Sequence, residues 1–221
     1  MHKAMVMRWV LAGMLMFWPL PLLADQGWEK VAEDGDKQIV VYLRSVEGSS
    51  FKAGRGVTTV EASLGAIISL ISDVESFPEW MHNVKRSLVV EQISPSERIT
   101  YTAQKLPWPV TDRDSVVYSK FSQDPDTKQI VIFFEARPDA YPEQDGHVRV
   151  PNMTGKWQLT PQGGSRVEVI YEIHPDPGGR IPTRIANSSI MDTPLNTLRG
   201  MHRMILEPKY RDARIDTVME P

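Results

Sequence analysis

The sequence predicts an α+β domain: a strongly curved antiparallel sheet closing around one long C-terminal amphipathic helix, with an internal hydrophobic cavity between them. Two observations predict it. Short runs rich in β-branched residues follow one another, separated by pieces rich in Pro, Gly, Asp or Ser, and no crossover helices are available for a parallel sheet. The apolar period then becomes helical in two places, after residue 62 and after residue 179. A curved sheet under a helix leaves a hollow, and such a hollow is a natural ligand site.

Each element has its own reason. Residues 38–46 alternate Ile39, Val41 and Leu43 against Val40, Tyr42 and Arg44, the pattern of a half-buried strand. Residues 51–62 read as its partner, with Gly54 and Gly56 marking a bulge or sharp bend. Ser63 can cap a helix whose Leu64, Ile67, Ile68 and Ile71 form one stripe. Ser76 and Glu79 have capping-box spacing and predict a short second helix carrying Trp80 and Met81. Six further strands are expected at 84–93, 97–105, 113–122, 128–137, 147–160 and 165–174 as a consecutive meander. Beyond Pro177-Gly178-Gly179, residues from Ile181 to Ile205 keep one apolar face over roughly six or seven turns, which Pro194 should kink.

Composition narrows the function. The 221 residues contain no cysteine, so disulfides, thiolate chemistry and Fe–S clusters are excluded. Net charge is −3, which leaves no excess of positive charge for nucleic acid. Residues 1–24 carry Lys3 and Arg8, an apolar run from Trp9 to Leu23 broken by Pro19 and Pro21, and a closing Ala24. That is the pattern of a signal peptide, with an uncleaved membrane anchor as the alternative, and it points to a periplasmic or secreted protein. Without Lys3 and Arg8 the remaining domain, residues 25–221, has a charge of −5. Catalytic motifs are lacking: there is no HExxH, no GxSxG, no Walker A and no three-glycine dinucleotide turn. Asp112 and Asp114 read as a solvated pair. No cofactor and no metal is expected.

Four segments then stand in a familiar order: Gly27-Trp28-Glu29-Lys30-Val31 with Ile39-Val40-Val41-Tyr42, Val74-Glu75-Ser76-Phe77-Pro78-Glu79-Trp80, Pro107-Trp108-Pro109-Val110-Thr111-Asp112-Arg113-Asp114, and Ile181-Pro182-Thr183-Arg184-Ile185-Ala186-Asn187. Across residues 26–210 the chain resembles the START (steroidogenic-acute-regulatory-protein-related lipid transfer) domain. The resemblance implies a helix-grip fold whose tunnel takes one lipid or similar hydrophobic small molecule, with the C-terminal helix and nearby loops as a gate.

A buried amphipathic ligand needs an apolar lining and one or two polar partners for its head. The candidate polar partner is Arg113, which strand alternation sends to the face opposite Asp114; the competing reading pairs it with Asp112 or Glu135. Trp108, between two prolines, is the candidate for the tunnel mouth or a transient membrane contact. Phe134 is a candidate lining residue, and Ile190, Met191, Leu195, Leu198 and Met201 are candidates for the helix face over the cavity. The alternative from a second class is an enzyme like the polyketide cyclases and aromatases, using the same cavity. Convergence of Tyr101, Tyr118, Tyr171 and His202 inside the cavity would favour it.

Overall fold

The computed structural model describes residues 27–221. The leader reading of residues 1–24 therefore lies outside the described residues. Ten strands form one sheet: β1 (Glu29–Asp34), β2 (Ile39–Ser45), β3 (Lys52–Glu61), β4 (Val84–Ser94), β5 (Glu97–Gln104), β6 (Asp112–Gln123), β7 (Ile130–Ala136), β8 (His147–Arg149), β9 (Asn152–Pro161) and β10 (Arg166–Asp176). Their spatial order is β1-β2-β3-β10-β9-β7-β6-β5-β4, antiparallel throughout, and β8 lies parallel beside β6. Helices α1 (Leu64–Ser72) and α2 (Phe77–Trp80) stand between β3 and β4; α3 (Thr183–Met204) and a short α4 (Pro208–Arg211) follow the sheet.

The α+β expectation holds, with four corrections. An additional strand, β1, precedes the first expected one. It is an edge strand with a register shift between Lys30 and Ala32, so its sequence does not alternate cleanly. The run 147–160 is two strands, because β8 pairs with β6 in parallel before the chain turns into β9. The Ser76 capping box is absent: the Ser76 hydroxyl donates to the Asp73 carbonyl at 2.8 Å instead. Finally, Gly54 and Gly56 cause no bulge, since both stay in continuous register with β2 and with β10.

The two glycines serve α3. A Cβ on Gly54 would lie 2.7 Å from the Ile190 carbonyl oxygen, and one on Gly56 would lie 2.7 Å from Leu198 Cδ1. Pro194 has no N–H to offer the carbonyl four residues before it, which is that of Ile190. Helix α3 runs through Pro194 unbroken, and the Ile190 carbonyl faces Gly54, a strand position without a side chain. Gly200 brings the other side of α3 against the backbone of Trp80, where an added Cβ would be 2.1 Å from the carbonyl oxygen.

Helix α1 begins as expected, with Ser63 Oγ accepting from Ala66 N at 3.1 Å. Seven of its nine residues are buried, which is more than one stripe, because the C-terminal segment covers its outer side. Glu220 accepts from Leu64 N and Gly65 N, and Tyr210 donates to Asp73 just beyond the helix end. Burial opposes ionisation of Asp73, but bonds from Lys209 and Tyr210 outweigh it and hold the carboxyl below its ordinary value. On α3, His202 Nε2 lies 2.8 Å from Thr58 Oγ1. Because the Thr58 hydroxyl donates its proton to the Lys37 carbonyl, the imidazole is the donor here.

Two stability predictions follow from this packing. Gly200→Ala should lower unfolding free energy by about 1–3 kcal/mol despite the better helix propensity of alanine, read from the urea midpoint. Burial first, then Lys37, pushes His202 below 6.5, and burial does the same to His82. The unfolded chain binds more protons near that value, so stability should fall as pH drops below about 6.5. Thermal melts from pH 8 to pH 5 should show this loss, and His202→Gln should make it shallower.

Candidate functional site

Strand alternation builds the cavity wall. Along β5, Arg98, Thr100, Thr102 and Gln104 face inward, while Tyr101 and Ala103 face outward into a small second core with Val116. Along β6, Ser115, Val117 and Ser119 continue that inner wall. The opposite wall is apolar and aromatic. Trp157 of β9 stacks on Tyr171 of β10 at 4.1 Å between ring centroids, Phe134 of β7 lies 6.3 Å from Tyr171, and Trp80 of α2 lies 6.1 Å from Trp157.

The hollow has two compartments. The outer one lies under the N-terminal half of α3 and is bounded by Ile190, Ile181, Arg113 and Leu106. The inner one is bounded by the aromatic wall and the inward side of β5 and β6. Gln104, Met153 and Ile173 border both and form the waist between them.

The candidate residues divide accordingly. Arg113 and Ile190 border the outer compartment and Phe134 the inner one. Met191 and Leu195 pack, partly buried, against the main core. Leu198 and Met201 are fully buried in that core and border neither compartment. The tight contact of α3 with β3 explains the division: from Pro194 onward no space is left beneath the helix. Trp108 is 92% exposed at the tip of its loop, while its neighbour Leu106 reaches the outer compartment.

Arg113 pairs with neither Asp112 nor Glu135. Its guanidinium, 3% exposed as a residue, donates to the carbonyls of Pro177, Gly178 and Thr111. It thereby ties the start of β6 to the segment leading into α3, and burial pushes it below its ordinary value. Nor are Asp112 and Asp114 a solvated pair. Asp112 accepts from Lys85 and from Leu106 N. Asp114 is buried on the opposite face and receives two bonds from Arg149, at 2.9 and 3.0 Å. Arg149 also donates to the carbonyls of Pro138, Tyr141 and Pro142. The bond that Arg149 donates to Asp114 raises its guanidinium, while burial, and Asp114 after it, raise Tyr101.

The polar ladder of β5 was missed as a site, although its signal was present: Arg98, Thr100, Thr102 and Gln104 are polar at every second position. Arg149 left no such signal, since its partner is 35 residues away. Of Tyr101, Tyr118, Tyr171 and His202, only Tyr171 borders the cavity. Among the described residues no group of His, Asp and Glu is arranged to hold a metal ion.

A ten-stranded antiparallel sheet curled around a C-terminal helix over a two-compartment cavity is the helix-grip architecture. The chain belongs to the START domain family, whose profile matches residues 15–208. It is similar to an uncharacterized protein of Pseudomonas aeruginosa, 39% identical over 172 residues that cover 78% of this chain and 84% of that one. It is 24% identical to the phosphatidylcholine transfer protein of Mus musculus over 188 residues, covering 82% and 85% of the two chains. The crystal structure of a STAR-related lipid transfer protein from Xanthomonas axonopodis superposes with a TM-score of 0.75 at 32% identity, covering 82% of this chain and 99% of that one.

The Asp114–Arg149 pair supports this site from behind, and removing one partner leaves a buried charge. Arg149→Met should cost about 3–5 kcal/mol in chemical unfolding. Adding Asp114→Leu to that variant should recover most of the loss, because no unpaired charge then remains.

Proposed function

We propose that the protein binds and carries, or senses, a lipid or other hydrophobic small molecule in this cavity and does no chemistry on it. The observation that carries this reading is the lining: Phe134, Trp157, Ile132, Met153, Ile173 and Ile190 border a space that none of the described residues fills. Exposing such a lining to water costs about 25 cal/mol per Å² of apolar surface, and an apolar ligand would relieve that cost. The family and the lipid-transfer names of its relatives support the same reading. The cyclase reading requires acid-base groups converging on one substrate position, and its four candidate side chains instead face different surroundings.

Transient membrane contact is part of the proposal. Trp108 presents an amphipathic ring beside the outer compartment, where a ligand leaving a bilayer would arrive. Export is likewise proposed, from the pattern of residues 1–24. Cell fractionation with N-terminal sequencing of the mature protein tests it, and a cytoplasmic chain retaining Met1 would overturn it.

The cavity reading is tested at its waist. Met153→Trp should place a larger ring where both compartments meet, retain the fold by circular dichroism, and lower uptake of lipid from a membrane extract at least about tenfold by native mass spectrometry. Trp108→Ala should leave affinity for a dissolved ligand within about twofold while slowing its transfer from vesicles.

A further inference from the structure

Two residues that border the inner compartment each carry a buried polar atom with no hydrogen-bond partner among the described residues, Trp80 Nε1 and Ser115 Oγ. Their residues are 3% and 1% exposed. An unpartnered group at that depth costs about 1–3 kcal/mol, so native chains seldom keep one without a use. Here two border the same cavity. They belong to different elements, α2 and β6, so no single local strain accounts for both.

Their chemistry specifies what they would bind. An indole N–H only donates, and a serine hydroxyl donates or accepts, so a ligand group satisfying both carries acceptor oxygen. Charge narrows it further. Lys52, Arg98 and Arg113 border the two compartments, and among the described residues no aspartate or glutamate does. Arg98 borders the inner compartment, and its guanidinium donates to the carbonyls of Ser72 and Ile71 at 2.9 and 3.0 Å, with no ion pair to a carboxylate among the described residues. Two carbonyl dipoles leave most of its positive charge uncompensated, and burial disfavours that charge.

We propose that Trp80 and Ser115 form a head-group site in the inner compartment, receiving the anionic oxygen head of an amphiphile, carboxylate or phosphate, under the positive potential of Arg98. The apolar tail then runs outward past Met153 and Ile173 to the compartment beneath α3. The inference rests on the carrier reading and adds to it the ligand's charge, its orientation and the two residues that select it.

The test uses the full chain and four probes: the neutral fluorophore N-phenyl-1-naphthylamine to report cavity filling, then hexadecanoate, hexadecanol and hexadecyl phosphate as displacing ligands of one chain length. The proposal expects either anion to displace the fluorophore at least about tenfold more tightly than the alcohol. The stronger of the two anions identifies the head as carboxylate or phosphate. Trp80→Phe and Ser115→Ala should each weaken anion binding about tenfold and narrow the ratio of anion to alcohol affinity. Ser115→Ala should also melt no lower than the parent protein, because it removes an unpaired buried hydroxyl. Alcohol binding as tight as anion binding, or anion affinity unchanged in both variants, would overturn the head-group site while leaving the carrier reading intact. Failure of the fluorophore and all three displacing ligands to bind would overturn both.

Discussion

The close approach of α3 to β3 is the contact on which the rest of the molecule depends. Gly54 and Gly56 remove two side chains from the strand, and Pro194 removes one N–H from the helix, so backbone and side chain meet at van der Waals distance. From that point toward its C-terminus α3 is ordinary core: Leu198, Met201 and Met204 are buried, and Gly200 rests on the backbone of Trp80. Toward its N-terminus the same helix is tied to β3 by Asn187, whose side-chain oxygen accepts from Lys52 N at 3.0 Å, and it covers the outer compartment with Ile190 and Ala186. One helix thus closes a solid core at one end and roofs a cavity at the other.

The second constraint is the alternation of β6. Arg113 and Asp114 are adjacent and point to opposite faces, so two buried charges are satisfied by separate means. Arg113 is held by carbonyls of the segment that leads into α3, which fixes where the roof begins. Asp114 is held by Arg149 in a bidentate pair, which anchors the connection to β8 behind the cavity wall. Both charges stabilise the frame of the site. The polar residues free to meet a ligand lie instead on β5 and on the inward serines of β6.

The hollow also explains an asymmetry in the lining. Its aromatic side, Trp80, Trp157, Tyr171 and Phe134, is contributed by α2, β9, β10 and β7. Its polar side comes from the adjacent strands β5 and β6. An amphipathic wall of this kind orients a ligand with two unlike ends as well as enclosing it.

Sequence alone determined most of the elements and their faces, with β1 and the separate β8 as the exceptions. Ile39, Val41 and Leu43 alternate because a strand has period two, and Leu64, Ile67, Ile68 and Ile71 recur because a helix has period 3.6. The family resemblance placed those elements in the helix-grip order, and the opposite facing of Arg113 and Asp114 was legible from alternation. What sequence could not show was distance. Periodicity put Ile190, Met191, Leu195, Leu198 and Met201 near one helix face, but only the packing against Gly54 and Gly56 decided that Ile190 meets the cavity and Leu198 and Met201 do not. The same holds for Arg149, whose partner is remote in sequence, and for Trp80 and Ser115, whose lack of partners is a property of the assembled interior. Local pattern sets which side of an element is apolar; only the tertiary structure sets how close the next element comes, and that separation divides core from cavity.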